Sequence, residues 1–382
     1  MKRNLQLDFV RGFLLIIIVI DHFFSNQNII RKFTDGFIGW VSAAEGFVFI
    51  SGLTAGLVYT CKLSSGKTDS AFFSAFKRSR VLYKYHMALF LILLIILVTS
   101  DFHKDFWMKH YEILYKQSAL SVLSFSALIY QPRYFDILPM YAIYLMFVPF
   151  VIQYFLKGNY LRVMALSILA YLAGTFNLLS PLFSFFQPVN EAYFNVFSWQ
   201  LVFFSGLLAG FLMYKEKIEV VRNTTLLYVA VLIAGLLFFS KLLYLEPAKG
   251  FFDWWAHKGD LRPLRLLNAV CIIFIVSFSI TKYKQFFTWR PICFLGKYSL
   301  EVYSVHILLI ILFKPFRAQL NELHAIRVTD GLYFFPATTV LLFFIIIPGL
   351  YILPILKSKL ARKINSKNEF ARHSTKNRDI DG

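Results

Sequence analysis

Arg11 and His22 stand eleven residues apart within the first apolar stretch of the chain. On an α-helix that spacing brings two side chains to within about 20° of one face, separated by roughly 16 Å along the axis. Asp8 lies one turn below Arg11 on nearly the same face, and Asp21 precedes His22. Ionisable groups inside an apolar span are costly, so they normally face a cavity or one another. The imidazole titrates near neutral pH and suits proton transfer. The competing reading for Asp8 and Arg11 is a simple interfacial pair. For His22 it is a satisfied core histidine, which a second costly group at Asp21 disfavours.

Glu45 opens a second apolar stretch among small residues, Ser42-Ala43-Ala44-Glu45-Gly46, which let helices approach closely. It is expected at a depth similar to His22, where it orients the imidazole, binds a substrate hydroxyl or serves as a structural partner. Lys77, Arg78, Arg80 and Lys84 lie between the second and third stretches. Arginine binds phosphate bidentately, although a cytoplasmic segment also collects cations for topological reasons. A later stretch, Gly296 to His306, sets Ser299, Tyr303 and His306 at i, i+4 and i+7 on one helix face. Lys297 and Glu301, one turn apart, are expected to pair. Asp136, Asn195, Gln200, Arg265 and Asn268 are further polar positions. Asp136, Asn195 and Arg265 fall at span ends, where solvation is easy. Cys61, Cys271 and Cys293 are odd in number and widely spaced, so they give neither a disulfide framework nor a metal site.

The elements that must position these groups follow from composition. Of 382 residues, 58% are hydrophobic and 16% charged, with a mean hydropathy of +0.60. Soluble domains carry about 25% charged residues, so a soluble enzyme, a disordered chain and a fibre are excluded. Ten stretches approach the ~20 residues that a span needs, at roughly 7–25, 39–60, 84–100, 136–156, 161–180, 196–214, 224–241, 264–281, 295–313 and 333–356. The expected fold is an all-α polytopic membrane bundle of about ten transmembrane helices, with a membrane domain over 1–356 and a basic tail over 357–382. The first stretch does not read as a cleaved leader, because it holds Asp21 and His22 and no small-residue cleavage site follows. The segment 118–131 is expected as an extra interfacial helix. With the N-terminus inside, 26 of the 40 lysines and arginines fall on the cytoplasmic side and 14 outside, which puts both termini in the cytoplasm. The basic tail then touches anionic lipid rather than nucleic acid. Trp40, Trp107, Trp199, Trp254 and Trp255 are expected near the outer boundary as an aromatic belt.

Leu7-Asp8-Phe9-Val10-Arg11-Gly12 followed by His22 resembles the first-helix motif of the integral-membrane acyltransferase type three superfamily. Asp21-His22 and Glu45-Gly46-Phe47-Val48-Phe49-Ile50-Ser51-Gly52 are similar to one branch, the OpgC-type proteins that succinylate osmoregulated periplasmic glucans. Asp136 to Tyr141, Trp199-Gln200, Leu264-Arg265-Leu266-Leu267 and Gly296 to His306 resemble later signatures of that branch. The resemblance covers nearly the whole chain. Asn268 departs from it, since many relatives have a histidine there.

The resemblance implies a bacterial inner-membrane enzyme. It would move a succinyl or acetyl group from cytoplasmic acyl-CoA to a hydroxyl of an extracytoplasmic glycan, with no permanently bound cofactor. It implies Asp136, Trp199, Gln200 and Arg265 as acceptor-binding residues. Such transfer needs a base, a positioned thioester and a stabilised oxyanion. His22 is the expected base, with Asp21 or Glu45 holding its tautomer, and His306 a second acid–base or acceptor group. A coenzyme A chain reaches over a distance comparable to the roughly 16 Å between Arg11 and His22, so its phosphates would meet Arg11, Arg78 or Arg80. The alternative is a proton-coupled transporter using the same buried groups as a relay. Inverted repeats and paired helix breaks are common in that class, and no internal repeat is evident here.

The charge distribution yields a test. A cysteine introduced at Ser65 should be blocked only by membrane-permeant reagents, and one at Asn190 by impermeant reagents as well. Labelling of position 65 by an impermeant reagent in intact cells would reverse the topology.

Overall fold

A bilayer offers no water to the backbone, so an apolar segment of this length must satisfy its own hydrogen bonds as a helix. The computed structural model describes residues 3–35, 39–116, 118–178, 193–216, 222–242, 249–323 and 325–363. The basic tail beyond Lys363, and Asn190, lie outside the described residues. The helices are α1 (Leu5–Phe23), α2 (Ile29–Thr34), α3 (Ala43–Ser64), α4 (Thr68–Thr99), α5 (Asp101–Met108), α6 (Glu112–Lys116), α7 (Ser118–Ser126) and α8 (Ile137–Leu156). They continue as α9 (Tyr160–Thr175), α10 (Val196–Tyr214), α11 (Thr224–Leu242), α12 (Lys249–Trp255), α13 (Pro263–Lys282), α14 (Arg290–Lys297) and α15 (Ser299–Leu323). A short antiparallel hairpin, β1 (Ile326–Thr329) with β2 (Leu332–Phe334), precedes the last helix, α16 (Pro336–Lys363). Pro348 has no N–H to return to the preceding turn, and that turn, Leu342–Ile346, widens into a π-helix.

Among the described residues, eight helices are long and apolar enough to cross a membrane: α3, α4, α8, α10, α11, α13, α15 and α16. The two other expected spans are present as α1 and α9. Asp8, Arg11 and Asp21 make α1 too charged to qualify by composition, and α9 is only 16 residues long. The fold is the expected all-α polytopic bundle. The start of α1, helix α14, the start of α15 and the end of α16 meet on one face. There Cys293 Sγ lies 3.5 Å from the Leu5 carbonyl, Tyr351 Oη donates to the Pro291 carbonyl at 3.3 Å, and Lys357 pairs with Glu301. The described ends of the chain therefore lie on the same side, as the charge distribution requires.

Two close helix contacts set the frame. Helices α3 and α10 cross where Gly52 and Gly56 face Gly206 and Gly210. A Cβ at Gly52 would overlap the Phe203 carbonyl oxygen, and one at Gly206 the Phe49 carbonyl oxygen. Helix α1 meets α14 in the same way, Gly12 against Ile292 and Gly296 against Asp8. Without a hydrophobic driving force in lipid, such backbone proximity is a main source of helix association.

Several sequence expectations change here. Lys77, Arg78, Arg80 and Lys84, expected between the second and third spans, are carried on α4 itself, because that helix begins at Thr68 and runs for 32 residues. The expected interfacial helix is α7, and its Phe125 is buried against His86 and Phe90 on α4. Trp107 and Trp199 do not belong to a belt. Both are fully buried, with indole N–H groups donating to the carbonyls of Ile311 and Gly259, each at 3.0 Å. Glu301 pairs with Lys357 rather than Lys297, whose ammonium lies 5.3 Å from the Tyr298 ring centre.

The crossing of α3 and α10 makes a stability prediction. Gly52→Ala should lower the thermal midpoint in detergent by several degrees or block assembly, since overpacking costs about 1–3 kcal/mol. Gly235→Ala on α11 meets nothing within 4 Å and should leave it unchanged. Equal midpoints for the two variants would contradict the crossing.

Candidate active site

Helix α1 carries both Arg11 and His22; Arg11 lines an internal cavity, and His22 lies beyond its closed end, behind Tyr303 and His306. Arg11 donates to Thr54 Oγ1 on α3. Asp8 does not pair with it. Asp8 is held by Arg3, one turn nearer the chain start. Above Arg11 opens a cavity of about 340 Å³ whose wall includes Arg11, Arg78, Thr54, Phe47, Tyr141 and Tyr303. Its wall is exposed at Arg78 and Val58 and buried at Phe47, Leu138 and Tyr303. The cavity thus begins with two guanidinium groups, on the face where the described chain ends lie, and ends against aromatic rings. Arg80 is not part of it. Two residues on from Arg78 is about 200° around a helix, and the Arg80 guanidinium lies over the Phe76 ring at 4.7 Å.

Tyr303 closes the inner end of the cavity, and its ring packs on His306 at 4.7 Å between centres. His306 Nε2 lies 3.3 Å from His22 Nδ1. His306 Nδ1 faces the Tyr303 carbonyl oxygen, which can only accept, so that nitrogen carries the proton. A neutral His306 then has a bare Nε2, which accepts from His22 Nδ1–H. His22 Nε2 is left unprotonated. A backbone carbonyl on α15 thereby sets two tautomers in series and presents a basic nitrogen at His22.

His306, not Glu45 or Asp21, is the group that orients His22. Glu45 occupies the third position of α3, where its carboxylate closes a capping box. It accepts from the Ser42 N–H at 3.0 Å and the Ser42 hydroxyl at 2.8 Å. Its other oxygen is taken by Arg265 of α13. Asp21 projects about 100° away from His22 and accepts from the Thr34 hydroxyl of α2.

Asp136 accepts the Tyr193 backbone N–H at 2.7 Å. Gln200 exchanges two 2.7 Å hydrogen bonds with Ser167, tying α10 to α9. Trp199 anchors α10 to the segment before α13 through the carbonyls of Lys258 and Gly259. Trp199, Gln200 and Arg265 thus spend their polar groups on the protein itself. Asn268 Oδ1 accepts the Trp40 backbone N–H at 2.7 Å, a structural bond at the position where a histidine was expected.

At the opposite end of the bundle from Arg11, Lys258 lies in the segment between α12 and α13. Burial pushes its ammonium below the ordinary lysine range, and Arg265 adds to the effect. Burial would raise the Asp35 carboxyl, but Lys258, Arg31 and Lys241 outweigh it and hold it below its ordinary value.

Sequence reasoning missed Tyr134 and Lys314. The Tyr134 ring lies 4.7 Å from the His22 ring, and Lys314 donates to the His22 carbonyl at 2.8 Å. Lys314 follows Tyr303 by eleven residues, the same one-face spacing that singled out Arg11 and His22. Tyr134 stands in a loop, where no periodicity marks it.

A helical membrane bundle with a cation-mouthed cavity leading to a tautomer-locked histidine pair has the parts of a membrane acyltransferase. The chain belongs to the OpgC protein family, which matches it over residues 3–345. That family suggests an acyltransferase-like role in glycan modification. Comparison with curated proteins gave no match, and comparison with solved structures gave none.

The tautomer chain can be read directly. In protein labelled with ¹⁵N-histidine, neutral His22 and His306 should both show a protonated Nδ1, assigned by His22→Gln and His306→Gln. A protonated Nε2 on His306 would break the assignment.

Proposed function

We propose that the protein is a bacterial inner-membrane O-acyltransferase that moves an acyl group, succinyl or acetyl, from cytoplasmic acyl-CoA to a hydroxyl of an extracytoplasmic glycan. One observation carries this reading: the cavity that starts at Arg11 and Arg78 and ends one ring contact short of the His22–His306 pair. Phosphates of the donor bind the two guanidinium groups at the mouth. The pantetheine arm fits the apolar wall and brings the thioester toward His22. The acceptor hydroxyl approaches from the outer side, past Asp136, Asp21 and Lys258.

His22 Nε2 takes the hydroxyl proton as the oxygen attacks the thioester carbon. His306 then accepts from Nδ1–H of the imidazolium and stabilises it. The proton on Nε2 is returned to the departing thiolate. A buried base needs no nucleophilic cysteine, and Cys61, Cys271 and Cys293 are absent from the cavity wall.

The reading separates donor binding from chemistry. Arg11→Ala and Arg78→Ala should each weaken acyl-CoA binding, and Arg11→Lys should as well, because a lysine cannot supply the two-pronged fork. Arg80→Ala should bind like wild type. His22→Ala should bind acyl-CoA nearly normally yet lose at least ~10²–10⁴ in transfer rate, the usual contribution of a general base. Folded His22→Ala that transfers at wild-type rate would refute the assignment, as would unaltered binding in both cavity arginine variants.

A further inference from the structure

Acyl transfer also needs a donor for the oxyanion that forms on the thioester carbonyl. Tyr134 lies in the loop before α8 with φ +79°. A tyrosine in this left-handed region is strained, and the conformation persists only where its surroundings impose it. Tyr303 Oη donates to the Tyr134 carbonyl at 3.2 Å, the Arg133 guanidinium lies 5.4 Å from its ring, and the edge of Trp107 packs on it at 6.2 Å. These contacts hold the ring beside His22, 4.7 Å between centres.

The Tyr134 hydroxyl is bonded to Lys314 Nζ, and the same ammonium donates to the His22 carbonyl at 2.8 Å. As an ammonium, Lys314 can only donate. Tyr134 Oη therefore accepts from it, and the phenolic proton is left without an acceptor among the described residues. Lys314 itself is 6% exposed, and among the described residues it makes no ion pair. Its neighbours Arg133 and Arg317 are also cations. Capping the end of α1 accounts for one of its hydrogen bonds but not for a buried ammonium with no anion nearby, which is costly to keep. A negative charge arising beside His22 during the reaction would offset that cost.

We propose that Tyr134 is a catalytic residue whose O–H donates to the thioester oxyanion, and that Lys314 is a positioning residue that polarises and aims it. This rests on the acyl-transfer reading. The acceptor oxygen bonds to the thioester carbon, its proton goes to His22 Nε2, and the carbonyl π pair moves to oxygen, where Tyr134 O–H meets it. On collapse the C=O re-forms, the C–S bond breaks, and the thiolate leaves with the proton from His22.

The test uses the full chain in proteoliposomes with radiolabelled succinyl-CoA and acetyl-CoA and a β-glucan oligosaccharide as acceptor. Tyr134→Phe keeps the ring and should lower kcat by ~10²–10³ with KM for acyl-CoA within about threefold, as expected for loss of one oxyanion donor. Lys314→Gln keeps a donor without the charge and should lower kcat at least about tenfold alone, but less than about threefold in the Tyr134→Phe background. Lys314→Arg should retain most activity. Near wild-type kcat in Tyr134→Phe overturns the proposal, and so do substitutions whose effects simply multiply. Should Tyr134→Phe not assemble, equal kcat for Lys314→Gln and Lys314→Arg overturns it. Wild-type protein that transfers neither acyl group overturns the acyl-transfer reading, and this proposal with it.

Discussion

The 3.3 Å contact between His22 and His306 constrains the molecule more than any other. It joins the first helix to the fifteenth, so both must be held in depth and rotation. Gly12 against Ile292 and Gly296 against Asp8 fix the N-terminal end of α1 by backbone contact with α14. At the other end, the last carbonyls of α1 and the one beyond are capped by cations. Lys314 donates to His22, Arg317 to Phe23 and Arg31 to Phe24, at 2.8, 2.8 and 3.0 Å. Helix C-termini carry unsatisfied carbonyls and a partial negative charge, so each cation there contributes about 0.3–1 kcal/mol. Two of the three come from α15, which carries His306. The register that brings the imidazoles together is therefore enforced from both ends.

Several buried polar groups elsewhere in the bundle form closed pairs, although the polar side-chain atoms of His86 and Gln131 find no hydrogen-bond partner among the described residues. Glu45 with Arg265 and Ser42, Gln200 with Ser167, and Glu301 with Lys357 each satisfy themselves. Breaking such a pair leaves an uncompensated group inside the protein. They are frame. The site differs, because its hydrogen-bond chain stays open. It starts at the Tyr303 carbonyl, passes through two imidazoles and ends on an unprotonated His22 nitrogen, while Lys314 leads to a tyrosine hydroxyl with a proton to spare. Open ends of that kind suit a reacting ligand.

The Arg11–His22 axis was legible in the sequence because it depends on helix geometry alone. The face shared by Ser299, Tyr303 and His306 was legible for the same reason. The bond between the two histidines was not, since no periodicity within one helix encodes the register of another 284 residues away. For Glu45 the geometry favours the structural-partner reading among the three the sequence left open, and Ser42-x-x-Glu45 is a capping signature that pointed to it. Its ion-pair partner, Arg265, lies on α13, and no spacing within one helix encodes that contact. The Gly52/Gly56 and Gly206/Gly210 spacings are those of close-packing helices, so the α3–α10 crossing could have been read as well. Trp107 and Trp199 were misplaced because a tryptophan at a span end looks the same in sequence whether it faces lipid or the interior. Tyr134 owes its place to a strained loop and had no signal at all.

The central claim is that donor and acceptor enter from opposite faces and meet at His22. It is tested most directly in sealed proteoliposomes of known orientation, with acyl-CoA confined to one side and a glucan oligosaccharide to the other. Transfer should occur when acyl-CoA is on the Arg11 face and the acceptor on the opposite face, and should vanish when the two are exchanged. Transfer that requires both substrates on the same face, or proceeds equally in either arrangement, would contradict the account.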